Sequence, residues 1–245
     1  MLYDPALVSA VYEGAHVPGL EASERAHLLR VDRRAWGTDP YRRSRTLQAL
    51  IEELPVSAAI AGVESLDAFF SSAGFHSAIQ ERRALVLAFA DWLEPTVGAT
   101  SRLERAIARA RQQSKRTGRG LCMAPGIAAV SLPEGLIEWW QAATVTLGER
   151  PLRALLEGPI LLSPAPKGPD RVHLLIERGA QGDLQLGGAT ASLAGLLAAA
   201  DAPASVQNMI SRAIELGADA EEASDIIQSL VEEGLLVEGM EILNS

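Results

Sequence analysis

The chain is poor in the residues that most often carry chemistry. It has one cysteine, Cys122, four histidines and 4% aromatic residues in 245 positions. A single cysteine excludes a disulfide framework and any site built from several thiolates. His16, His27, His76 and His173 are scattered, with no H-x-x-x-H or H-x-x-E-H spacing, so no metal-ligating helix is visible. His173 lies inside a strand-like run and reads as a plain core or edge residue. Cys122, in GLCMAPG, has no histidine nearby and reads as a buried, inert thiol. There is no G-x-S-x-G, no P-loop and no G-x-G-x-x-G. Adjacent carboxylates such as Glu52/Glu53 and Glu221/Glu222 point to different sides of their helices. No apolar run reaches the roughly 18 residues of a membrane span. The opening MLYDPALVSAVYEGA carries acids and no base, unlike a secretory signal, so a cytoplasmic protein is expected. This inventory predicts no catalytic residue, no metal ligand and no cofactor held by the chain, and favours binding over reaction.

What is present is an ordinary globular composition, 48% hydrophobic and 22% charged. Abundant Ala and Leu with few aromatics favour helices. The net charge of −9 is unevenly spread. Residues 1–120 carry a net +2 and residues 121–245 a net −11, and 213–245 hold nine acids and no base. From Arg102 to Arg119 there are seven bases against Glu104 alone. Two modules are therefore predicted: a helical domain over 1–120, a connecting segment with a helix over 121–157, and a second domain over 158–245.

In the first module, Leu7, Val8, Val11 and Tyr12 have helical spacing. Leu47, Leu50, Ile51 and Leu54 form an i, i+3, i+4, i+7 stripe that Pro55 ends or kinks. Ser65 is placed to cap a short helix burying Leu66, Phe69 and Phe70. A longer helix is predicted over 78–93, with Leu85, Phe89, Trp92 and Leu93 on one face and Pro95 as its stop. The segment from Arg102 to Arg116 reads as a helix that is basic nearly all round, hence either a solvated face or a surface for an acidic protein or peptide.

In the second half, Leu136 to Leu147 reads as a helix. Its adjacent Trp139 and Trp140 cannot both face one core, which puts one at a domain or subunit contact. Three strands are then predicted: GPILLSP (158–164), DRVHLLIERG (170–179) and GDLQLGG (182–188), the last two joined by a hairpin turn over Gly179–Gly182. Three helices follow. One spans Ser192 to Ala200. The next has Pro203 at its start and carries Val206, Met209, Ile210, Ala213 and Ile214 in a helical stripe, with Gly217 beyond its end. The last begins at an Asp219/Glu222 capping box and carries the stripe Ala223, Ile226, Ile227, Leu230 and Val231, ended by Gly234. Three strands then three helices make a mainly α protein with a small sheet (α+β), its C-terminal part a winged helix-turn-helix.

Such a domain suggests DNA first. The recognition helix, however, holds Glu221, Glu222, Asp225, Glu232 and Glu233 and no base, whereas phosphate contacts need Lys or Arg. No nucleic acid is therefore expected as a partner, although a transcription regulator with a helical sensor domain is the alternative reading. A meander leaves its last strand at an edge with unpaired N–H and C=O groups, where an extended peptide can add. The peptide is placed antiparallel along 182–187, its apolar side chains between that strand and the helix over 220–235. Asp183, Leu184, Gln185, Leu186 and Gly187 are the strand contacts. Leu184 and Leu186 are expected to face the core and Gln185 the other side. Ile227, Leu230 and Val231 are either core or partial lining of the groove.

The strand-strand-strand-helix-helix-helix segment 158–237 resembles the RiPP recognition element, a winged-helix module that binds the leader of ribosomally made, modified peptides. The segment 31–74 looks like the helical N-terminal part of partner proteins of multinuclear non-heme iron oxidative enzymes. The shared pattern is Tyr41-Arg42-Arg43, the Leu-rich helix Leu47 to Leu54, the break Leu54-Pro55-Val56, Ala61-Gly62, and the Phe-bearing helix Leu66 to Phe70. The resemblance implies a noncatalytic subunit. Such a subunit captures a leader peptide and docks as a heterodimer on a TIM-barrel enzyme that holds the iron and oxidises a core residue, often cysteine, as in methanobactin and thiaglutamate pathways. For docking, Arg33, Trp36, Tyr41 and Arg42 are the candidate anchors, because Trp, Tyr and Arg dominate interface energetics and all four surround one turn signal.

Overall fold

A computed structural model describes residues 5–30, 39–112, 119–158 and 160–239. In chain order the elements are α1 (Pro5–Tyr12), α2 (Ala22–Leu28), α3 (Asp39–Glu53), α4 (Pro55–Ala61), α5 (Val63–Leu66), a 3₁₀ turn (Asp67–Ser71), α6 (Ala73–Gln80), α7 (Leu85–Val97), α8 (Ala99–Arg111), β1 (Leu121–Met123), β2 (Ile127–Pro133), α9 (Leu136–Leu147), α10 (Pro151–Glu157), β3 (Arg171–Arg178), β4 (Leu184–Gly188), α11 (Ala191–Ala199), α12 (Val206–Glu215), α13 (Glu222–Glu232) and β5 (Leu236–Glu238). The fold is mixed α+β and mostly helical. The chain forms two compact units, one of residues 1–96 and 146–162, the other of 97–145 and 163–245. The stretch 121–157 thus supplies β1, β2 and most of α9 to the second unit and α10 to the first.

The first unit is helical. Leu50, Ile51 and Leu54 are buried as their spacing predicts. Pro55 is the first residue of α4, a position where its missing N–H loses no helical bond, so the predicted break is a junction between two helices. All four phenylalanines of the chain, Phe69, Phe70, Phe75 and Phe89, are buried together. Their rings and that of Trp92 meet at centroid separations of 5.0–6.0 Å, largely tilted or edge-on. The helix predicted over 78–93 is instead two helices, α6 and α7. They part at residues 81–84, where Arg82 adopts a left-handed φ of 54°. Pro95 lies inside α7 rather than stopping it, and the helix ends two residues later. Ser65 does not cap a helix; its hydroxyl donates to the carbonyls of Ala61 and Gly62, and Ser72 is the residue that caps α6.

The second unit is built around the antiparallel sheet β2-β3-β4. Its first strand is Ile127–Pro133, not 158–164, and residues 160–169 form no strand. Both segments are apolar and bounded by Gly and Pro. IAAVSLP, however, can pair residue for residue with β3, from Ile127↔Glu177 to Pro133↔Arg171. β3 and β4 form the predicted hairpin, with Gly182 at φ 88° closing the turn. A second, two-stranded sheet pairs β1 with β5.

Helices cover both faces of the three-stranded sheet. On one face Ala128, Leu132, Leu174 and Ile176 join Leu103, Ala106, Ile107 and Ala110 of α8 and Leu136 of α9. On the other, Ile127, Ala129 and Leu175 pack against the cluster formed by α11, α12, α13, β1 and β5. The basic segment is therefore neither a solvated face nor a free binding surface over 99–111. Thr100, Ser101, Leu103, Glu104, Ala106, Ile107, Ala108 and Ala110 are all buried. Ala106 and Ala110 let the helix lie close on the sheet, and the arginines beside them are themselves partly buried, Arg105 31% and Arg109 11% exposed. Arg109 pairs with Asp201 and also donates to its carbonyl at 3.1 Å. Trp139 and Trp140 both pack against this same cluster, each half-buried, contrary to the expectation that the two cannot face one core. Their indole N–H groups go to different partners: Trp139 donates to Ser163 and Trp140 to Glu104.

Candidate peptide-binding edge

β4 has the sequence Leu184-Gln185-Leu186-Gly187-Gly188, and its only strand partner among the described residues is β3. The phase of its backbone follows from two hydrogen bonds at its ends. Gly179 N–H donates to the Asp183 carbonyl at 2.8 Å, and Ala189 N–H donates to the His173 carbonyl at 2.8 Å. Hydrogen-bonded pairs alternate along an antiparallel ladder. With the register Arg178↔Leu184 to Leu174↔Gly188, the odd residues of β4 therefore point their N–H and C=O groups to β3. Leu184, Leu186 and Gly188 point theirs to the free edge. Edges are usually blunted by charge, proline or a bulge. This strand has no charge, no proline and an unbroken register.

The side chains of the predicted site divide between the two faces of the sheet. Leu184 packs, half-buried, with the cluster of α8 and α9, and Leu186, opposite Ile176, shares that face at 44% exposure. Gln185 and Gly187, opposite Glu177 and Leu175, lie on the α11–α13 face and are exposed. Asp183 precedes the strand, exposed, with its carboxylate folded over Gly179. Ile227 and Leu230 are core residues of the α11–α13 cluster, and Val231 is 39% exposed. Leu184 and Leu186 thus share one face and Gln185 lies on the other, as expected, and the core that the leucines face is the one formed with α8 and α9. The residues of β4 that share a face with α13 are Gln185 and Gly187.

Of the docking candidates, Arg33 and Trp36 lie outside the described residues, as does the side chain of Tyr41. Arg42 is exposed on α3. Its neighbour Arg43 is committed inward, paired with Asp67 and 5.0 Å above the Phe70 ring.

Two polar pairs were not visible in the sequence. Glu104, 1% exposed, accepts from Trp140 Nε1 at 3.0 Å. Ser131 and His173, directly opposite on β2 and β3, share a hydrogen bond of 2.5 Å. No local motif announces either, since their partners lie 36 and 42 positions apart. Among the described residues no group of three His, Cys, Asp or Glu is placed to hold a metal ion. The Cys122 thiol is buried and directed at the Val237 carbonyl. Among the described residues no helix is long and apolar enough to cross a membrane. Compared with known protein families and with curated proteins, the chain matches none.

Proposed function

We propose that the second unit binds an extended peptide by strand addition along β4. The whole chain then acts as a noncatalytic subunit, presenting the leader of a ribosomally made precursor to a multinuclear non-heme iron oxidative enzyme. The observation that carries the peptide reading is the free, uncharged edge of β4, with the backbone groups of Leu184, Leu186 and Gly188 turned outward. Main-chain bonding to such an edge supplies affinity for a peptide of almost any sequence, and pockets beside it supply selection.

The partner role rests on the resemblance of residues 31–74 to proteins of that kind, together with the order strand, strand, helix, helix, helix over 171–232. The helices α11–α13 beside the sheet are compatible with a winged-helix domain of the leader-binding type. The iron belongs to the partner enzyme in this reading, and the oxidation, of cysteine in many relatives, happens there. The regulator reading is weakened by α13, whose Glu221, Glu222, Asp225, Glu232 and Glu233 are all exposed and would be repelled by phosphates. The test is a titration of the full chain with the leader of the precursor encoded beside it, together with a low-salt gel shift on random duplex DNA. Leader binding without a DNA shift supports the proposal. A DNA shift without leader binding overturns it.

A further inference from the structure

Gly187 and Gly188 stand at consecutive positions of the exposed edge strand, and nothing in the fold calls for them. Neither has a left-handed φ. A Cβ on Gly187 would meet only the Leu175 carbonyl oxygen, at 4.0 Å, and one on Gly188 would meet nothing within 4 Å. By contrast, Gly120 is fixed by both criteria: its φ is 120° and a Cβ would sit 2.4 Å from the Ala204 carbonyl oxygen. Glycine inside a strand weakens it, through backbone entropy and the lost cross-strand contact, and marks places where another backbone comes close. At 187 and 188 no described part of the chain comes close on the outer side.

We infer that this pair selects the peptide, and that the occupant seats a bulky apolar side chain opposite Gly187 and carries Lys or Arg beside it. The inference rests on the strand-addition reading above. In an antiparallel addition the outward groups of Leu186 and Gly188 make the hydrogen bonds, so Gly187 falls at a non-bonded pair. There the two backbones approach to about 4.5 Å and facing side chains are closest. A side chain at 187 would fill the space that a large residue of the incoming strand needs. With hydrogen there instead, that residue can lie over the strand toward Leu175, which is half-buried on the same face. The charge preference follows from what surrounds the edge. Asp183 is exposed at its start, and Glu177 is opposite Gln185 on the Gly187 face. Arg178, opposite Leu184, donates to the Arg111 carbonyl at 2.9 Å.

The experiment pans a displayed library of random linear peptides on the full chain and on three variants, Gly187→Val, Gly188→Val and Leu186→Pro, with melting curves for each. The expected result has three parts. Wild type enriches peptides with one bulky apolar position flanked by Lys or Arg. Leu186→Pro folds and enriches none. Gly187→Val melts at or above the wild-type temperature yet binds the selected peptides roughly tenfold or more weakly. If Gly187→Val binds as wild type does, or if both valine variants unfold, the glycine inference is overturned while the edge reading stands. If enrichment is absent, or survives in Leu186→Pro, the edge reading itself is overturned.

Discussion

The N–H of Ala189 donates to the carbonyl of His173 at 2.8 Å, and this one bond sets the direction of every backbone group along β4. It continues the β3–β4 ladder one residue past Gly188 and agrees in phase with the bond from Gly179 to Asp183 at the other end.

The first consequence concerns proline. Gln185 N–H points to β3, so Gln185→Pro removes a ladder bond and is expected to destabilise the unit by about 1–3 kcal/mol. Leu186 N–H points outward, so Leu186→Pro is expected to cost far less and to keep native far-UV circular dichroism. The two variants, one residue apart, should separate by several degrees in melting temperature. Equal melting points would mean that the ladder phase is wrong.

A second expectation compares two ion pairs. Arg109 is 11% exposed and holds Asp201 through both its carboxylate and its carbonyl. Arg153–Glu157 is a surface i,i+4 pair with both side chains more than 60% exposed. Arg109→Ala is expected to cost about 1–3 kcal/mol, with little dependence on salt. Arg153→Ala should cost about 0.5 kcal/mol or less, fading as salt rises. Denaturant unfolding at low and high ionic strength measures both.

The buried carboxylate of Glu104 gives a third. Trp140→Phe removes the indole donor at 3.0 Å from a buried carboxyl group, an expected loss of about 2 kcal/mol. Trp139→Phe removes a donor to the more exposed Ser163 and should cost about half as much. Chemical denaturation of the two variants ranks them; the opposite order would show that Glu104 is not stabilised by Trp140.

Elemental analysis provides the fourth. The proposed subunit leaves the iron to its partner, so the purified chain is expected to hold no stoichiometric metal. About one tightly bound iron or zinc per chain would contradict the noncatalytic reading.

Much of the fold was legible where a local pattern decides the outcome. The stripes Leu50-Ile51-Leu54 and Ala223-Ile227-Leu230 are buried, and the Gly179–Gly182 turn joins the strands it was expected to join. What escaped was non-local. GPILLSP and IAAVSLP are equally plausible strands by composition, and only pairing with β3 over Arg171–Arg178 chooses between them. The arginines of α8 hid a buried helix, because a period read from charge weighs Arg105 and Arg109 as solvent-seeking, while their partner Asp201 lies 92 or more positions away. At the candidate site the strand and its residues were readable from alternation. Which helices cover the face of Leu184 and Leu186 was not, because that depends on β2 and α8 and not on β4 itself.

The most direct measurement is amide hydrogen exchange of the full chain with and without a peptide selected on it. The account predicts new protection at the outward amides of Leu184, Leu186 and Gly188, with Gln185 and Gly187, already bonded to β3, changing little. Saturating peptide that leaves those three amides unprotected, while protecting amides elsewhere in the chain, would show that the edge of β4 is not the binding site.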